Sequence, residues 1–129
     1  MTRIDPIIAV KDVESSSEWY QTVFQLTSKH GGKEFDILAD KHDEVLLCLH
    51  KWDEHNHPSM LSTDMTPGNG LILYFRVENL EQVRENLRTL DYDVEEEIQV
   101  SHNSRRKEFS LRDPDGYYLT IAEFHTYEG

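Results

Sequence analysis

Short apolar runs and amphipathic stretches follow one another along this chain in one order, and the order occurs twice. Ile7–Val10 is an uninterrupted apolar run and reads as a strand. Asp12 can cap the segment after it, Val13–Phe24, where Val13, Tyr20, Val23 and Phe24 recur at near-helical spacing. Ser15-Ser16-Ser17 lowers the helix propensity of that segment, and Gly31-Gly32 marks a break. Phe35–Ala39 and Val45–His50 flank Asp40-Lys41-His42-Asp43 and predict a hairpin. From Lys51 to Asn69 the chain turns polar and carries Pro58, Pro67 and Gly68, the pattern of a linker or long loop.

The pattern then restarts. Leu71–Val77 predicts a strand, and Asn79 can cap a helix over Leu80–Leu90 with Gln82 at the capping-box position. Leu80, Val83, Leu87 and Leu90 form its apolar stripe. Val94–Val100 predicts another strand. Lys107–Leu111 and Tyr117–Phe124 flank Asp113-Pro114-Asp115-Gly116 as a closing hairpin. That turn has a mechanism: Pro114 pre-sets φ, the aspartates accept from nearby amides, and Gly116 tolerates positive φ. Placing Val10 on Val77 puts Asp12 on Asn79, Glu14 on Glu81, Glu18 on Glu85 and Thr22 on Thr89. The expectation is an α+β fold of two βαβββ modules in one domain spanning residues 1–129. Module one covers about 4–52, a linker 53–69, and module two about 70–125. A four-stranded sheet with one helix leaves its other face bare, and two such faces can curve around a ligand cleft.

Composition narrows the function. A net charge of −12 argues against a nucleic-acid surface and is compatible with a cationic ligand. The acidic block Asp91, Asp93, Glu95, Glu96 and Glu97 reads as a solvated strand edge. The single cysteine, Cys48, lies in an apolar run and reads as a small buried hydrophobe; one thiol allows no intrachain disulfide, which fits a reducing cytoplasm. No signal-peptide pattern and no apolar run of membrane-spanning length is present. The expectation is a cytoplasmic protein with no membrane or nucleic-acid partner.

Three stretches, Ile7–Tyr20, Leu71–Val83 and Leu111–Glu123 with its Asp-Pro-Asp-Gly turn, resemble the vicinal oxygen chelate superfamily. That superfamily holds glyoxalase I, extradiol dioxygenases, fosfomycin-resistance enzymes and bleomycin-binding proteins. In its metal-using members four inward positions, on the first and fourth strand of each module, bind a divalent ion. The resemblance carries these onto Asp5, Leu47, Ile72 and Thr120, of which only Asp5 is a good ligand. It therefore implies a metal-free, bleomycin-resistance-like protein with no cofactor, a small-molecule ligand and a homodimeric assembly. The alternative is a divalent-metal-dependent lyase or dioxygenase of the same superfamily.

Alternation places Ile7, Ala9, Leu47, Leu49, Tyr74, Arg76, Glu108, Ser110, Tyr118 and Thr120 on the bare faces. Tyr74, Arg76, Glu108, Ser110, Tyr118 and Thr120 are the candidate ligand-binding residues there, with Trp52 as a ring that could stack on the ligand. The competing assignments are a simple Arg76–Glu108 pair and a Trp52 packed at the module junction. His55 and His57 would share a face of an extended loop and are the other metal candidates besides Asp5; the competing assignment is an exposed loop. Catalytic residues are not identifiable, since neither a nucleophile elbow nor a phosphate loop is present.

Overall fold

The structure, a computed structural model, describes residues 1–54, 57–61, 66 and 68–126. The chain divides into two compact units, Met1–Thr66 and Pro67–Gly129. Each has the predicted βαβββ order, so the α+β class stands. Unit one runs β1 (Ile7–Val10), α1 (Val13–Phe24), β2 (Thr27–Ser28), β3 (Phe35–Ala39) and β4 (Val45–Lys51), followed by a 3₁₀ turn at Pro58–Met60. Unit two runs β5 (Leu73–Val77), α2 (Leu80–Thr89), β6 (Glu96–Val100), β7 (Lys107–Arg112) and β8 (Tyr118–Glu123). The sheets have equivalent orders, β1-β4-β3-β2 and β5-β8-β7-β6. The first and fourth strands of each unit pair in parallel and the other pairs are antiparallel.

Helix α1 begins where the sequence places it. Asp12 is extended and its Oδ1 accepts the Ser15 amide at 3.0 Å. Its serines have a use that propensity does not reveal. Ser16 and Ser17 face inward, and Ser17 Oγ donates to the buried Asp36 of β3 at 2.5 Å. The helix covers the sheet face carrying Ile8, Val10, Leu38, Leu47 and Leu49, all buried, with Val13, Tyr20 and Val23 from its own side.

Helix α2 starts differently from expectation. Asn79 makes no side-chain cap, and Gln82 Nε2 donates along the helix to Asn86 Oδ1 at 2.9 Å, so no capping box forms. Amphipathicity holds it instead: Leu80, Val83 and Leu87 are buried, whereas Leu90 is the exposed C-cap. Below it lie Leu73, Phe109, Leu111, Leu119 and Ile121. The acidic block is less purely solvated than its composition suggests. Glu97 forms a two-pronged pair with Arg84 of α2 at 2.6 and 2.9 Å, and Glu95 pairs with Arg112 at 3.2 Å.

Asp113 Oδ1 accepts the amides of Asp115 and Tyr117, both at 2.9 Å, and the Gly116 amide donates to the Asp113 carbonyl. Gly116 has φ 95°, as the turn requires, and a β-carbon there would meet nothing within 4 Å. The penalty for a side chain is therefore conformational and not steric contact. Gly116→Val is expected to cost about 1–2 kcal/mol, read as a lower midpoint in denaturant unfolding.

Candidate functional site

In unit two, strand pairing decides which side chains share the face opposite α2. Tyr74 is opposite Thr120, which is opposite Ser110; Arg76 lies in the row of Ala122 and Glu108; Tyr118 lies in the row of Arg112. Six of the seven sequence candidates, Tyr74, Arg76, Glu108, Ser110, Tyr118 and Thr120, thus stand on one sheet face. Their hydrogen bonds divide them. Ser110 Oγ and Thr120 Oγ1 are buried and 3.1 Å apart, so they satisfy one another. Arg76 Nη1 donates to the His125 carbonyl at 2.8 Å and its guanidinium stands 5.4 Å from the Phe124 ring centre. Arg112 lies over the Tyr118 ring at 4.9 Å and donates to the Gly116 carbonyl.

Glu108 is different. Its Oε2 accepts from Ser104 Oγ at 3.1 Å and lies 3.5 Å from the Tyr74 hydroxyl. Among the described residues no cation forms an ion pair with it. The Tyr74 hydroxyl also lies 3.3 Å from His125 Nε2, and the two rings meet edge to face. His125, Ser104 and Arg112 are members of this cluster that the sequence did not single out. His125 lies two residues beyond the end of β8 and Ser104 sits in the β6–β7 turn, so strand alternation assigns them no face.

Unit one departs from expectation at one point. A bulge opposite Leu38/Ala39 inserts Leu46 as an extra residue, and beyond it every side chain of β4 faces the other way from a count along the turn. Leu47 and Leu49 therefore pack under α1 and not on the open face. Cys48 and His50 take the open face, beside Ile7 and Ala9 of β1 and Ile37 and Phe35 of β3. Trp52 is buried, 8% exposed, its amide donating to the Val10 carbonyl, and it does not line the groove of this unit. That groove, of about 620 Å³, is lined by Ile7, Phe35, His30, His50, His57 and the loop 31–34. His30, Phe35, His50 and His57 form a ladder of edge-to-face rings. His55 lies outside the described residues.

The groove wall is fixed by Asp36. This carboxylate, 2% exposed, accepts from Ser17 Oγ, Ser28 Oγ and the amides of His30, Gly31 and Ile37. Burial pushes its carboxyl up, but the hydrogen bonds from Ser17, Gly31, Ser28 and Ile37 together outweigh burial and hold it below the usual carboxylate range. Cys48 goes the other way: burial first, then the charges of Asp5 and Asp36, push its thiol up, so it stays protonated and unreactive.

The chain belongs to the family described as Glyoxalase/Bleomycin resistance protein/Dioxygenase superfamily, which matches residues 3–121. None of the curated proteins is similar in sequence to it. Among solved structures, a protein of unknown function from Agrobacterium tumefaciens is similar at 17% identity and TM-score 0.76, over 97% of this chain and 95% of that one. A possible glyoxalase from Bacillus cereus is 20% identical at TM-score 0.64, over 95% and 98%. A bleomycin resistance determinant encoded on the transposon Tn5 is 13% identical at TM-score 0.67, over 98% and 100%. At these identities the likeness is one of fold.

Metal-using members of this superfamily carry ligands on the first and fourth strands, and the residues at those positions here do not fit an ion. Ile7 opposite Cys48 matches Tyr74 opposite Thr120 in the repeat, so the bulge moves the fourth-strand position of unit one from Leu47 to Cys48. Ile72 is aliphatic and 59% exposed and cannot donate a lone pair, and Thr120 is a neutral hydroxyl engaged with Ser110. That leaves Asp5 and Cys48, two donors where the family's metal-using members place four. Among the described residues no group of three or more His, Cys, Asp or Glu side chains is arranged to hold a metal.

Asp36→Asn is expected to destabilise the protein by about 2–3 kcal/mol at neutral pH, because a charged acceptor of several buried donors is lost. The Asp36 contribution is present above the unfolded carboxyl's ordinary value near ~3.9 and disappears as pH falls through the lower folded value. In chemical unfolding the gap between wild type and variant should therefore be widest at neutral pH and close below about pH 4.

Proposed function

We propose that the chain is a binding protein for a small aromatic or cationic molecule, held on the open face of unit two without a metal at the family positions. One observation carries this: among the described residues the hydrogen bonds to the Glu108 carboxylate come from hydroxyls and no cation pairs with it, beside the Tyr74 ring. A cation placed there would gain a Coulomb partner in Glu108, and Tyr74 and Tyr118 offer ring faces or edges for an apolar body. Arg76 and Arg112, tied to carbonyls and rings, border that ligand and are suited to orienting its polar groups. Trp52 is not needed for this assignment. The net charge of −12 would draw a cation from a distance. Family membership supports a small-molecule ligand.

We also propose a homodimer, the assembly the superfamily resemblance implies. Strand β5 is an edge of its sheet, and Leu71 and Ile72 just before it and Tyr74 on it are exposed, an arrangement that soluble proteins cover. Light scattering at micromolar concentration should give twice the chain mass, and a monomer would count against the pairing.

The ligand assignment is tested by calorimetric titration of metal-free bleomycin and of phenyltrimethylammonium into chelator-treated protein. Saturable binding of at least one probe is expected with chelator present. Glu108→Gln should weaken it about tenfold, the scale of one desolvated cation–carboxylate or cation–π contact. Binding that needs a divalent ion, or that ignores Glu108→Gln, would contradict it.

A further inference from the structure

Two dipeptides of this chain set a side-chain carbonyl carbon before a glycine nitrogen, Asn69-Gly70 and Asp115-Gly116. Glycine leaves that nitrogen unshielded, because no β-carbon stands beside it. In each, attack of the nitrogen on the side-chain carbonyl would close a five-membered succinimide ring. The fold treats the two sites in opposite ways.

At Asp115-Gly116 the attacking nitrogen is occupied. The Gly116 amide donates to the Asp113 carbonyl at 3.0 Å, and ring closure would break that bond of the closing turn. At Asn69-Gly70 the hydrogen bond of the turn lies elsewhere. The Leu71 amide donates to the Gly68 carbonyl at 2.9 Å, so Asn69 and Gly70 are the two central residues. Gly70, with φ 82°, has the conformation that a type II turn asks of the second of them. Among the described residues no hydrogen bond engages the Gly70 amide or the Asn69 carboxamide. Both residues are exposed, and a β-carbon at Gly70 would meet nothing within 4 Å.

The other described asparagines lack this combination. Asn79 and Asn86 precede the buried Leu80 and Leu87 of α2. Asn103 precedes Ser104, whose amide donates to Ser101 Oγ at 3.4 Å.

We propose that Asn69 deamidates spontaneously in the folded protein, which makes the turn 68–71 a self-modifying site. The Gly70 nitrogen bonds to Asn69 Cγ, the Cγ–Nδ2 bond breaks, and Nδ2 leaves as ammonia with the proton of the Gly70 amide. Water then opens the succinimide at Cγ to give aspartate, or at the backbone carbonyl carbon to give isoaspartate. Either product makes the chain one unit more negative than its −12. Isoaspartate also adds a backbone carbon to the turn that leads into β5, the strand carrying Tyr74 and Arg76. The site is independent of the Glu108 assignment.

The test is peptide mapping by mass spectrometry of the full chain aged in mildly alkaline buffer, folded and in denaturant. In the folded sample the peptide carrying Asn69 should gain about 1 Da, NH being exchanged for O, ahead of those carrying Asn79, Asn86 and Asn103. The ratio of isoaspartate at position 69 to that at 115 should be larger in the folded sample than in denaturant, where the Gly116 amide is released. Asn69→Gln, whose longer side chain would have to close a six-membered ring, should remove the new acidic band on isoelectric focusing and leave circular dichroism unchanged. An Asn69 that stays unmodified in the folded protein, equal modification at Asn79, Asn86 or Asn103, a ratio unchanged by denaturant, or an acidic band that survives Asn69→Gln would each overturn the site.

Discussion

The parallel pairing of first and fourth strands is the constraint from which the rest of each unit follows. In unit one β1 lies beside β4, and in unit two β5 lies beside β8. Parallel neighbours need a crossover, and the helix after the first strand supplies part of it while covering one face of the sheet. The other face is left to the alternate residues of all four strands. Those residues, with the loops at the strand ends, form the open face of each unit. In unit two they include Tyr74, Arg76, Glu108, Ser110, Tyr118 and Thr120.

This logic made much of the protein legible in its sequence. Apolar runs and the Asp12 cap located β1 and α1, and the closing turn located β7 and β8 to within a residue. With the turn placed, alternation assigned the open face of unit two correctly. In unit one the same count failed at Leu46, because a bulge changes the face of every later residue and leaves no mark in composition. That single extra residue exchanged Leu47 and Leu49 for Cys48 and His50. Strand β2 is two residues long, too short for any periodic signal. Asn79 has the chemistry of a cap without acting as one, since the buried leucine and valine stripe of α2 suffices.

Buried polar groups do the finer positioning. Asp36 gathers five donors and so fixes where the loop 28–31 runs beside the groove. Asp113 does the same for the closing turn. The Asp113 role is legible in the local turn pattern; the Asp36 role is not, because its donors come from a helix, two strands and a loop. On the open face of unit two the balance is reversed. Ser110 and Thr120 satisfy one another, the arginines are tied to carbonyls and rings, and among the described residues the partners of Glu108 are hydroxyls. The family fold keeps its two sheets here, and the positions that the resemblance assigns to metal ligands fall on Asp5, Cys48, Ile72 and Thr120.

The claim that these four residues no longer form the family's metal centre is tested most directly by metal content. Protein purified without a metal-affinity step would be measured by elemental analysis, alongside Asp5→Ala. No stoichiometric metal that depends on Asp5 is expected. About one nickel or zinc per chain, lost in Asp5→Ala, would contradict it.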